Sequence, residues 1–193
     1  MTPAEYLAWE RDQPQKHEYY RGEVFAMAGA TREHNLIVMN LGAELRAALR
    51  DRPCEAYPSD MRVRIPATGL YTYPDVTVVC GRPEFEDGVL DTLLNPQLLA
   101  EVLSTSTEAY DRGGKFEQYR TLPLALRVPP RRAGQGARRS LREAARRLVA
   151  DALPARRERL ELASLGCSIA IDEIYLKVFG GEGQAAAGPV TSS

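Results

Sequence analysis

YPDVTVVCG (residues 73–81) and NPQLLAEVLSTSTEAYDRGGKFEQY (residues 95–119) are the stretches that decide how this chain folds. Asp75 follows Pro74 at the head of an apolar run containing Val76, Val78 and Val79. Glu101 is set in a second apolar run with Leu98, Leu99, Val102 and Leu103. Short apolar runs bounded by Gly and Pro predict buried strands. A carboxylate in such a strand costs several kcal/mol unless it is paired or bound to a metal. Two of them on neighbouring strand ends, with Lys115 beyond in a helical segment, suit Mg²⁺-assisted phosphodiester hydrolysis. Mg²⁺ takes oxygen ligands and keeps several waters, so one or two carboxylates suffice. The bound ion polarises the phosphate and acidifies an attacking water, and the lysine orients that water or offsets developing charge. The competing reading is structural: salt-bridged carboxylates, with Lys115 paired to Asp111 on a helix surface.

The same words resemble the Uma-two family of bacterial endonucleases, within the PD-(D/E)XK nuclease superfamily. PDV, EVLSTSTEAYD and the pair Lys115 and Tyr119 carry the resemblance, with HEYYRGEVFAMAGATREHN (17–35) upstream and LELASLGCSIAIDEIY (160–175) downstream. It implies an α+β nuclease-like core, a mixed twisted sheet flanked by helices. It also implies DNA as substrate and partner, Mg²⁺ (or Mn²⁺) held by Asp75 and Glu101, and Lys115 as the third catalytic group. The usual superfamily pattern puts the lysine two residues after the glutamate, where this chain has Leu103. The resemblance moves that role to Lys115, one of three lysines in the chain. Glu18, Glu23, His34, Asp60, Asp111 and Tyr119 form a second tier of candidates.

At 193 residues, a single domain over 1–180 with a disordered tail over 181–193 is expected. The composition, 44% hydrophobic and 26% charged, is that of a soluble globular protein. No run approaches the ~18 apolar residues of a membrane span. The opening MTPAEYLAWERD carries acids where a signal peptide carries bases, so the cytoplasm is the expected compartment. Cys54, Cys80 and Cys167 form no CxxC pair and are expected to be buried free thiols. The net charge of −1 gives no general basic footprint for nucleic acid. The sequence leaves room for a homodimer and does not specify one.

Thr2-Pro3-Ala4-Glu5 has the form of a capping box before a short helix. His17–Tyr20 and Glu23–Met27 read as a hairpin around Arg21-Gly22, either an exposed hairpin with cross-strand charges or one that borders the metal site through Glu18 or Glu23. Thr31 caps a helix to about Arg50 whose buried stripe is Ile37, Leu41, Leu45 and Leu49. His34, in its first turn, is a hydrogen-bonder or a site residue. Met61 to Ile65 alternates, predicting one buried face with Arg62 and Arg64 outside. Asp60 precedes that strand as a cap, a turn or a site residue. Pro74 marks an irregular or edge position that would help turn Asp75 out of the sheet.

The character changes after Pro123. Residues 124–160 hold 11 Arg, no Lys and 3 acids, a local charge of +8 in a chain of net −1. The Arg-Ala-Pro-Gly bias of residues 124–159 matches GC-rich DNA translated out of frame, and one shift of suitably chosen codons returns strand-like words such as EYLLVAQD. That reading predicts no central strand over 124–158, in a non-functional or poorly folded family member. The alternative is a basic helix over Ser140–Leu153 lying on DNA. A non-catalytic DNA-binding or interaction module is the rival function, and metal binding discriminates it from a nuclease.

Overall fold

The stripe of the long helix and the alternation of the strands determine how the layers stack. In the computed structural model the described residues are 1–103, 116–119, 122, 125–128, 149–151 and 159–178. Helix α1 (Pro3–Glu10) opens with the expected capping box, Thr2 and Glu5 each satisfying the other's backbone amide. Strands β1 (His17–Tyr20) and β2 (Glu23–Ala26) form a hairpin, with Arg21 and Gly22 both at positive φ, as a tight two-residue turn requires. Helix α2 (Arg32–Ala48) is capped by Thr31. Then follow β3 (Cys54–Pro58), β4 (Arg62–Ile65), β5 (Leu70–Thr72), β6 (Val76–Cys80), β7 (Thr92–Leu93) and β8 (Leu98–Val102). A single helical turn α3 (Phe116–Tyr119) precedes β9 (Ala125–Val128), β10 (Val149–Asp151), β11 (Arg159–Leu162), β12 (Cys167–Ala170) and α4 (Ile171–Ile174).

Two mixed five-stranded sheets result, where a single sheet was expected. One has the order β2-β1-β5-β4-β7 and the other β10-β9-β8-β6-β3, with β11 and β12 as a separate hairpin. The second sheet is covered on both faces. Val76, Val78, Leu98, Ala100, Val102, Leu126 and Val128 pack against the predicted stripe of α2 and against the β11–β12 hairpin. Val79, Leu99 and Ala125 face the first sheet, meeting Val63, Ile65 and Leu70. The outer face of the first sheet is closed by α1 through Tyr6, Leu7, Tyr19 and Tyr71.

Four expectations need correction. Arg62 is not on a wet face but 2% exposed, because α1 and the β7 region cover that side. Its guanidinium bonds Thr92 Oγ1 and the Tyr73 hydroxyl, each at 2.9 Å, and lies 2.9 Å from Asp91. Arg64 is half-buried beside Glu86 at 2.9 Å. Cys54 and Cys80 are not free thiols: they are register partners on β3 and β6 and form a disulfide, leaving Cys167 as the free cysteine. Pairing required a strand register that spacing alone does not reveal. Residues 124–158 do contain a central strand: β9 lies between β8 and β10, parallel to both, with Leu126 fully buried. Val149–Asp151, within the span of the alternative basic helix, form strand β10, and the rest of that span, like the tail, lies outside the described residues.

Two outcomes follow from this packing. The Leu126 amide should exchange as slowly as that of Leu99, and exchange at loop rates would remove β9 from the sheet. The hydrogen bonds from Arg11, opposed by burial and aided by the Arg62 charge, hold the Asp91 carboxyl at about 2, below its ordinary 3.8. The folded value is the lower one, so ionised Asp91 contributes stability above about pH 3.8 that is lost as pH falls toward 2. Urea melts of Asp91→Asn should therefore show a shallower loss of stability across that window than the parent chain.

Candidate active site

The register of β6 and β8 sets the site. The antiparallel ladder pairs Val78 with Leu98, Thr77 with Leu99 and Val76 with Ala100. The last pair leaves Asp75 just before Val76 and Glu101 just after Ala100, at the same end of the two strands. Glu101 alternates with Leu99 and so points into the layer between the two sheets, at 7% exposure. Asp75 sits in a bend just before β6, as the proline ahead of it suggested. Freed from the ladder, its Oδ2 accepts a hydrogen bond from Val102 N at 2.7 Å, beside Glu101 on β8.

His34 reaches the same carboxylate from the first turn of α2, its Nε2 3.2 Å from Asp75 Oδ2. That hydrogen bond raises the His34 imidazole above its ordinary 6.5, against the opposing effect of burial, and the charges of Asp75 and Glu101 add to it. The other ring nitrogen, Nδ1, is buried without a hydrogen-bond partner among the described residues. From α3, the Tyr119 hydroxyl donates to Glu101 Oε1 at 2.7 Å. Tyr119 is itself only 1% exposed, and its ring lies in the core between the sheets.

Glu18 joins from the first sheet. It lies on the face of β1 opposite Tyr19, hence toward the second sheet, and is 6% exposed. Thr72 Oγ1 donates to Glu18 Oε1 and lies 3.2 Å from the Tyr119 hydroxyl. Of the expected residues, Asp75, Glu101, His34, Tyr119 and Glu18 are therefore connected. Glu23 is not: it is exposed at the hairpin, paired in register with Tyr20. Asp60 is also elsewhere, ion-paired with Lys16 and with its side chain 83% exposed. Lys115 and Asp111 lie outside the described residues. Thr72 was missed by sequence reasoning. Its one signal, a place opposite Glu18 in the β1–β5 register, needs the pairing of Tyr19 with Tyr71 to be known first.

The donor set is all oxygen apart from His34, which suits Mg²⁺ or Mn²⁺ over the metals that favour thiolate. Asp75 Oδ1 makes no hydrogen bond among the described residues, whereas Oδ2 is held by Val102 N and His34. Among the described residues no group of three or more His, Cys, Asp and Glu side chains forms a metal cage. Two carboxylates completed by water is a smaller site than that, and it is the arrangement Mg²⁺ commonly takes. A buried hydroxyl bonded to a carboxylate contributes roughly 1.5–3 kcal/mol. Tyr119→Phe should lower stability in urea melts by that order, and a change within about 0.5 kcal/mol, the scale of a neutral surface substitution, would show that the bond contributes little.

Comparison with known proteins agrees with this architecture. Two uncharacterised proteins of Synechocystis sp., sll1609 and slr1290, are each 42% identical to the chain, over 123 and 124 residues. Each match covers 64% of this chain, and 70% and 64% respectively of the two relatives. A crystal structure of a "putative nuclease belonging to DUF820" from Anabaena variabilis superposes with a TM-score of 0.66 at 14% identity, covering 91% of this chain and 97% of that one. The likeness to that structure shows a shared α+β fold. Residues 3–131 match the Uma2 family, described as "Putative restriction endonuclease", and the chain belongs to that family.

Proposed function

We propose that the chain is a divalent-cation-dependent endonuclease that hydrolyses phosphodiester bonds in DNA, with a nuclease core of the PD-(D/E)XK type. The observation that carries this reading is the placement of Asp75 and Glu101 at the same end of one antiparallel ladder, Glu101 buried and Asp75 half-buried, held by donors from β8, α2 and α3. Membership of the family supports it.

Asp75 and Glu101 would hold the ion, Asp75 through Oδ1. When bound, Mg²⁺ supplies a Lewis acid at the scissile phosphate and a more acidic water. The protein's own contribution is orientation. Val102 N and His34 fix the Asp75 carboxylate, and Tyr119 fixes Glu101. The sheet layers on both sides exclude bulk water, which strengthens the electrostatics of the site. Lys115, directly after the paired glycines Gly113-Gly114 and four before Tyr119, is assigned the role of orienting the attacking water or offsetting charge on the pentavalent phosphorus. DNA is the proposed partner, and the cytoplasm the proposed compartment. No helix among the described residues is long and apolar enough to cross a membrane.

Metal titration tests the reading directly. Mn²⁺ binding, followed by electron paramagnetic resonance, should be lost in Asp75→Ala and Glu101→Ala and kept in Lys115→Ala. Mg²⁺-dependent nicking of supercoiled plasmid should fall at least ~100-fold in all three. Absence of Mn²⁺ binding by the parent chain at millimolar metal would overturn the proposal. Binding without nicking would favour the non-catalytic DNA-binding module.

A further inference from the structure

We propose that the cavity between α2 and β3 is a site of thiol–disulfide exchange, where Arg46 and Arg50 hold an anionic small thiol whose sulfur adds to Cys54. The inference does not depend on the metal reading of Asp75 and Glu101.

The cavity encloses about 690 Å³, within the roughly 300–1,000 Å³ of ordinary small-molecule sites. Helix α2 and the residues just after it line one side, and the edge strand β3 lines the other. The Cys54–Cys80 disulfide belongs to this wall through Cys54, which is half-buried, whereas Cys80 is not among the lining residues. Ala43 and Ala47 on the facing helix are small, which keeps the space open. Access decides which sulfur of a disulfide is attacked, and here it selects Cys54.

Charge decides which thiol suits the space. Arg46 and Arg50 line it about one helical turn apart, and both are exposed. Neither guanidinium makes a hydrogen bond or ion pair among the described residues. Glu55 shares the lining, but its Oε2 already accepts from the Tyr57 hydroxyl. Two guanidinium groups against one carboxylate leave a positive space, which concentrates anions and favours the thiolate form of an entering thiol. A thiol that carries carboxylates therefore gains twice, in binding and in reactivity. The cytoplasm proposed for this chain keeps such thiols reduced, and disulfides that form there are usually transient.

Exchange begins with attack of the thiolate on Cys54 Sγ. A new S–S bond joins the small thiol to Cys54, and the Cys54–Cys80 bond breaks. Its electron pair leaves on Cys80 Sγ, which takes a proton from water. The entering sulfur is oxidised and Cys80 is reduced, so no further oxidant or reductant takes part. The products are a mixed disulfide at Cys54 and a free thiol on β6, the strand that begins beside Asp75.

The test uses the full chain carrying Cys167→Ala, so that Cys54 and Cys80 are its remaining cysteines. Oxidised protein is mixed with glutathione, which is anionic, or with 2-mercaptoethanol, which is neutral. Samples are acid-quenched at intervals and mapped by peptide mass spectrometry. Glutathione should appear on Cys54. The double substitution Arg46→Gln/Arg50→Gln should slow its exchange ~10-fold, the low end of electrostatic steering, and leave 2-mercaptoethanol exchange unchanged. Raising the salt should narrow the difference between parent and variant. Urea melts verify that the variant is folded, and both arginines are exposed. The inference is overturned if glutathione adds to Cys80, or if the double substitution slows both thiols alike or neither. It is equally overturned if millimolar glutathione leaves the parent disulfide closed, or if the parent chain cannot be oxidised to the Cys54–Cys80 bond.

Discussion

A slip of one residue between β6 and β8 would undo everything at this site. Side chains alternate with a period of two, so such a slip would send one strand's core residues to the opposite face. Glu101 would then turn toward the apolar stripe of α2, and Ala100 or Val102 would take its place between the sheets. The register is held because both faces of this sheet are apolar and differently shaped. Val76, Val78, Leu98 and Ala100 fit the helix stripe, while Val79 and Leu99 fit the other sheet. The placement of Glu101 therefore depends on hydrophobic packing by its neighbours along and across the strands.

Among the described residues, polar networks line both faces of the first sheet. Inward lie Glu18, Thr72, Tyr119 and Glu101. Outward, Glu10 accepts from His17 N at 2.8 Å and from the Tyr73 hydroxyl at 2.9 Å, and Tyr73 in turn accepts from Arg62. Burial leads the rise of the Tyr73 hydroxyl to about 12, so that group remains a neutral donor. The outward network pins α1 and the β7 region to the sheet through Arg62, Asp91 and Arg11. Its charges are matched and its members bond one another, which is the signature of a structural network. The inward one ends on carboxylates at the mouth of a sheet.

What the sequence disclosed and what it hid divide along one physical line. Features written in a single segment were legible: the Thr2 box, the Thr31 cap, the α2 stripe, the turn at Arg21-Gly22, and two carboxylates embedded in apolar runs. Features that depend on two segments meeting were not. Thr72 meets Glu18 only through the β1–β5 register, Cys54 finds Cys80 only through the β3–β6 register, and Arg62 is buried only because α1 folds over it. The Arg-rich region shows the limit from the other side. Its composition argued against a central strand, yet Ala125, Leu126 and Val128 supply enough apolar surface for β9 to fill the space beside β8. Composition averaged over tens of residues conceals a four-residue strand.

The Cys54–Cys80 bond has a topological consequence. It closes the chain on itself across a sequence separation of 26, and the enclosed segment includes β4, β5, Thr72 and Asp75. The oxidised protein is thus a covalent ring with two arms: one carries Glu18 and α2, the other Glu101, Tyr119 and the β11–β12 hairpin. A backbone cut anywhere between the two cysteines opens the ring without releasing a fragment, and both arms stay attached to the strand that presents Asp75. The same cut in the reduced protein separates them. The oxidation state of one thiol pair, far down β6 from the carboxylates, decides whether damage to the middle of the chain breaks the molecule apart.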